Sequence, residues 1–141
     1  MKQILLFLLV ITASTYSFAN CTRAKLAGEY SGSGVVPADV EFDTVYITGR
    51  FTLNQGGGLR VPLVILTGSG ERITGSGSGG WGVNNNCVGF MNVTFRIQGV
   101  TGDARIDFTA AGNGNDIVLS AVYTDEDEDE SGTFNFRKQN L

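Results

Sequence analysis

The chain has 141 residues, 42% of them hydrophobic, with 20 glycines but only two prolines, a length that suits one domain around one core. Ten basic residues stand against fourteen acidic ones, a net charge of −4, and six of the acids form a single run, "DEDEDE", at 125–130; no basic stretch suited to phosphate remains, which argues against nucleic-acid binding. Histidine is absent, which removes Ser-His-Asp and Cys-His nucleophiles, His-ligated zinc and the usual general base near neutral pH.

At the start of the chain Lys2 precedes the apolar run "ILLFLLVITA", residues 4–13, followed by "STYSFAN" with small residues at Ser17 and Ala19. This is the pattern of a secretory signal peptide over residues 1–19, cleaved after Ala19. The run falls short of the roughly 20 apolar residues that span a bilayer, so no membrane-spanning segment is expected. A lipoprotein acylated at Cys21 is the competing reading, but Phe18 and Asn20 are poor neighbours for lipid attachment. Residues 20–141 then form one secreted or periplasmic domain. Its two cysteines, Cys21 and Cys87, are expected to pair in an oxidising compartment. Closing a loop of that length stabilises by about 4 kcal/mol on the chain-entropy model.

Beyond the leader, alternating runs are separated by Gly, Asn and Asp turns, the mark of an all-β meander. "GEYSGSGVV", residues 28–36, opens the series. In "TVYITGRFTLN", residues 44–54, Val45, Ile47, Gly49, Phe51 and Leu53 share one face. "LRVPLVIL", residues 59–66, contains Pro62, whose missing N–H predicts a bulged or partly paired strand. Residues 72–84 include "TGSGSGGWGV", which reads by composition as a linker. At period two, however, Ile73, Gly75, Gly77, Gly79, Trp81 and Val83 fall on one face, so the stretch is read as a curved strand. "CVGFMNVTFRI" at 87–97, "ARIDFTA" at 104–110, "IVLSAVY" at 117–123 and "GTFNFRK" at 132–138 complete the set. Eight strands with one apolar and one polar face suit an antiparallel up-and-down barrel, calycin-like in outline. The inward rings of Tyr30, Phe51, Trp81, Phe95, Phe108, Phe134 and Phe136 could fill such a barrel, which is the default expectation. Alternatively, the inward glycines open a cavity.

The segment "GGWGVNNNCVGF", with Cys21 and "LAGEY" (Leu26 to Tyr30) before it and "SGTFNFRKQ" after it, resembles a recurring pattern of small secreted bacterial β-barrel proteins. That pattern joins an N-terminal Cys, an L-x-G-x-Y opening and a V-N-x-x-C-x-G turn. The resemblance implies a barrel and a disulfide and carries no established activity. The opening also resembles avidin-like and bacterial protease-inhibitor barrels, although the polar ligand-binding residues of the avidin pattern do not map here.

Among chemistry-bearing residues, Glu71, Asp103 and Asp107 fall near turns or at outward positions and read as solvated surface acids. "AGNGNDIVL", residues 111–119, fits a calcium-binding nonapeptide except at its first position. Such repeats share ions between stacked copies, and a single copy reads better as a hairpin turn. "NVT" at 92–94 matches a glycosylation acceptor by pattern only. The acidic run reads as a solvated loop; Asp125, Asp127 and Asp129 are its candidate calcium ligands, with Asn113 or Asp116 as partners. No other cofactor is expected. The leading expectation is a non-catalytic secreted protein that binds an unknown partner through loop ends, above all residues 125–130. The alternative is a carrier of a small apolar ligand beside Trp81 and Phe95. A carboxylate- or metal-dependent hydrolase is a distant third, with no nucleophile motif to support it.

Overall fold

A computed structural model describes residues 20–37, 43–113, 116–125 and 130–140; the signal peptide expected over 1–19 lies outside them. A short helix, α1 (Arg23–Leu26), precedes eight strands. These are β1 (Gly28–Val36), β2 (Val45–Leu53), β3 (Gly58–Gly68), β4 (Glu71–Val83), β5 (Val88–Ile97), β6 (Val100–Asn113), β7 (Asp116–Asp125) and β8 (Glu130–Lys138). Each pairs antiparallel with the next, and β8 pairs with β1, so the sheet closes into an up-and-down barrel. Closure leaves no free edge at the strand containing Pro62.

Side-chain alternation sets the inside of the barrel. Along β5, Met91 and Val93 are buried while Asn92 and Thr94 are exposed. In β3 the alternation changes phase: Leu59 and Val61 are buried, then Val64. Pairing with both neighbours slips by one residue across this stretch. The extra residue accommodates Pro62, which cannot donate to a ladder. Without the slip Leu63 would point inward; it is instead exposed, with Val64 taking the interior position.

The glycines of β1 and β4 occupy specific places in the register. Gly32 lies opposite Phe136 and Gly34 opposite Phe134; Gly75, Gly77 and Gly79 lie opposite Ile97, Phe95 and Val93; Gly89 lies opposite Phe108. A Cβ at Gly77 would fall 2.9 Å from the Thr94 carbonyl oxygen and 3.0 Å from Phe95 Cδ1. The bulky residues thus lean over a glycine on the adjacent strand. The glycine stretch is a strand, as its phase predicts, but the space it leaves serves its paired neighbour rather than rings across the barrel.

Two kinds of hairpin mark the two ends. Ser69–Gly70 and Gln98–Gly99 are two-residue turns with every φ positive, the geometry that matches strand twist. The second turn begins β6 at Val100, so β6 is longer than the expected 104–110 at both ends. At the other end, Asn54–Gly57 and Asn84–Cys87 close in the same way. Gly57 N–H donates to Asn54 O (2.9 Å) and Cys87 N–H to Asn84 O (3.1 Å). The left-handed position is Gly57 in one (φ 97°) and Cys87 in the other (φ 63°).

This second end, the base, is plugged by the residues before β1. Thr22 caps α1, its side chain accepting from Lys25 N–H at 3.2 Å. The helix buries Leu26 completely. The Tyr30 hydroxyl, also fully buried, donates to Leu26 O across 2.7 Å. Cys21 and Cys87 form the expected disulfide, with Cα atoms 5.0 Å apart. It joins the plug to the β4–β5 turn, and Cys87 O in turn accepts from Ala110 N–H at 2.8 Å.

Candidate functional site

Above this plug the barrel is hollow. A cavity of about 640 Å³ occupies the half of the interior farther from α1, within the range of small-molecule sites. Its deep end is bounded by Phe51, Leu59, Met91 and Phe136, which adjoin the plugged base. Val64, Val93, Phe95 and Ile106 line its walls, and Val36, Val45, Ile97 and Val100 surround the mouth. Val100 is 71% exposed there, an apolar side chain standing in water beside an apolar chamber.

The filled barrel is therefore not what forms, and the register explains why. Phe95, Phe108, Phe134 and Phe136 are each paired with a glycine, so these rings lie along the wall instead of meeting at the axis. Phe51 stacks on Tyr30 at a centroid distance of 5.3 Å and meets Phe136 edge-on at 4.8 Å, while Phe136 lies parallel to Phe134 at 6.0 Å. These rings form one bank beside the lumen. Phe95 is opposite Gly77 on one side and Gly102 on the other. It leans on Gly77, and a Cβ at Gly102 would meet nothing within 4 Å. Gly49, also in the lining, has only Leu63 O and Val64 Cγ2 near it, at 3.5 and 4.0 Å.

The two residues expected beside an apolar ligand separate. Phe95 lines the cavity. Trp81 does not: it is 2% exposed at the plugged end, where its indole N–H donates to Asn54 O at 2.9 Å and its backbone N–H to Gly57 O at 3.0 Å. An indole needs a partner for its N–H when buried, and the β2–β3 turn supplies it. Gly102 is the lining residue that the sequence reading leaves out, because it falls in a stretch read as a turn; its signal is its pairing opposite Phe95, which no single strand reveals.

Apart from the hydrogen-bonded Tyr30 hydroxyl and Trp81 indole N–H, the described residues bury no polar or charged side chain, and no group of three or more His, Cys, Asp or Glu among them is placed to hold a metal. Asp127 and Asp129 lie outside the described residues. Asp125 ends β7 at the mouth, while Asp116 begins it at the base, opposite Asn113 and with Oδ1 3.4 Å from the Arg137 guanidinium. The acidic run and "GNGND" are thus at opposite ends of one strand. The other acids considered are superficial: Asp103 accepts from Thr94 Oγ1 at 2.6 Å, Asp107 pairs with Arg105 at 3.3 Å, and Glu71 is exposed.

The mouth nevertheless has a charge. Asp43 and Asp103 border the cavity, Asp43 accepting from Ser69 Oγ, and Glu71 follows the Ser69–Gly70 turn. The backbones of Asp125 and Glu130 pair at the same end; the four residues between them are Glu-Asp-Glu-Asp in sequence. Arg72 and Arg96 are the described cations nearest this end. The base carries Arg23, Lys25, Arg137 and Lys138 instead, with Lys138 Nζ donating to Lys25 O at 3.3 Å.

No helix among the described residues is long and apolar enough to cross a membrane, and the outward face bears Arg50, Arg60, Asp103, Arg105 and Asp107. No protein-family model, curated protein or solved structure matches the chain.

Proposed function

We propose that this protein is a non-catalytic binding protein that holds a small apolar molecule inside its barrel. The observation that carries the reading is the cavity of about 640 Å³ walled by aliphatic and aromatic side chains and open at one end. Burying an apolar ligand against such walls gains roughly 25 cal/mol per Å² of apolar surface removed from water. The absence of histidine and the surface positions of the described carboxylates support binding without chemistry. The disulfide supports an oxidising compartment, and with the leader it favours a secreted or periplasmic protein of the kind the small bacterial barrels exemplify.

Saturable binding of the uncharged fluorophore N-phenyl-1-naphthylamine, with one site per chain, is the expected result. A linear, unsaturated fluorescence response would rule the reading out. Trp81 emission is not the reporter to use, since the indole faces the base.

A further inference from the structure

The cavity also constrains its ligand, and this step rests on the proposed function. Tyr123 brings a phenol to the wall, but Phe51, Leu59, Met91 and Phe136, which bound the deep end, are all apolar. A ligand hydroxyl, amide or carboxylate carried to the bottom would lose its water and find no side-chain partner there, a net cost. The portion that descends must therefore be hydrocarbon. From Val45 at the mouth to Phe51 at the floor, β2 runs about 20 Å along the strand, or about 15 Å along the barrel axis at the usual tilt. That depth accommodates an extended hydrocarbon chain.

A polar end must then stay where the water is, among the charges of the mouth. Asp43 and Asp103 border the opening, Glu71 is beside it, and Asp125 and Glu130 end their strands there. Of the side chains described there, Arg72 and Arg96 only partly offset Asp43, Glu71 and Asp103. The field at the opening is negative, and a charge held within about a Debye length of it is affected accordingly.

We infer that the ligand is a single-chain amphiphile inserted tail first, with a cationic or uncharged head group held at the acidic mouth and anionic heads disfavoured. The apolar rim at Val36, Val45 and Val100 covers the upper part of the chain, and the carboxylates select the head.

Displacement of N-phenyl-1-naphthylamine by three molecules of equal chain length tests this: dodecyltrimethylammonium, dodecanol and dodecanoate, each below its micelle concentration. Dodecyltrimethylammonium is expected to displace at roughly fivefold lower concentration than dodecanoate at low salt, with dodecanol between them and the gap closing in molar salt. An Asp43→Asn, Asp103→Asn variant should narrow the low-salt gap, read as the ratio of the dodecanoate and dodecyltrimethylammonium displacement concentrations; an unchanged ratio would overturn the assignment of the head group to these carboxylates. Dodecanoate displacing as well as or better than dodecyltrimethylammonium at low salt would overturn the inference while leaving the cavity reading intact. If none of the three displaces a saturably bound fluorophore, the amphiphile inference fails alone; if the fluorophore itself does not bind, both fail.

Discussion

The indole N–H of Trp81 is hydrogen-bonded to the carbonyl oxygen of Asn54, 2.9 Å away and 27 residues earlier. With the backbone bond from Trp81 N–H to Gly57 O, it fastens the β2–β3 turn to the end of β4. Trp81→Phe loses that bond and part of a buried ring, at a cost of about 2 kcal/mol. The urea midpoint should fall accordingly, while fluorophore binding at the far end of the barrel stays unchanged. Loss of binding without loss of stability would place the indole in the site after all.

Gly102 and Gly77 make an opposed pair. A Cβ at Gly102 would meet nothing within 4 Å, whereas one at Gly77 would crowd Thr94 O and Phe95 Cδ1 at 2.9 and 3.0 Å. Gly102→Leu should fold with a near-normal midpoint and lose most fluorophore binding, because the new side chain occupies the lumen. Gly77→Ala should instead lower stability by about 1–3 kcal/mol through overpacking. Thermal melts of the two variants alongside fluorophore titrations check both halves.

How far these positions were legible differs between them. The phase of Ile73, Trp81 and Val83 marks β4 as a strand despite its glycines, and Pro62 marks the bulge, because both follow from the backbone of one strand. The extent of β6 was harder: "GVTGD" offers two glycines, and only Gln98–Gly99 makes the turn, leaving Gly102 within the ladder. Whether the barrel is filled depends on register. Phe95 and Gly77 are 18 positions apart, and nothing short of their pairing shows that the ring leans on the wall. Trp81 shows the same limit, since inward phase alone does not distinguish the plugged end from the open one.

Cys87 holds a left-handed conformation, φ 63°, in a turn whose counterpart has Gly57 at the same place. Removing the disulfide should cost about 2–5 kcal/mol, but the replacement matters. In a Cys21→Ala background, Cys87→Gly should be about 1 kcal/mol more stable than Cys87→Ala, because glycine adopts positive φ without a Cβ penalty. Denaturant unfolding of the two double variants makes the comparison.

Tyr30 provides a pH signature. Burial of its hydroxyl holds the phenol well above its ordinary value of 10.0. Below that value both folded and unfolded chains keep the proton. Above it the unfolded chain releases the proton first, so stability falls as pH rises. Tyr30→Phe should cost about 1 kcal/mol near neutral pH through the lost bond to Leu26 O. It should also show a shallower decline than the parent between about pH 9 and about pH 11 in urea unfolding. Equal slopes would indicate that the phenol is not sequestered in the native state.

The plug of α1, Tyr30 and the Cys21–Cys87 bond makes the barrel a vessel with a floor. On the proposed function, cargo taken up through the mouth has to leave by backing out along the same route, because nothing can push from below. Loading and discharge therefore share a single transit step. Delivery in one direction would have to come from a difference in the surroundings, such as a thirstier acceptor or a change in ionic strength, with the protein itself serving as a reversible container.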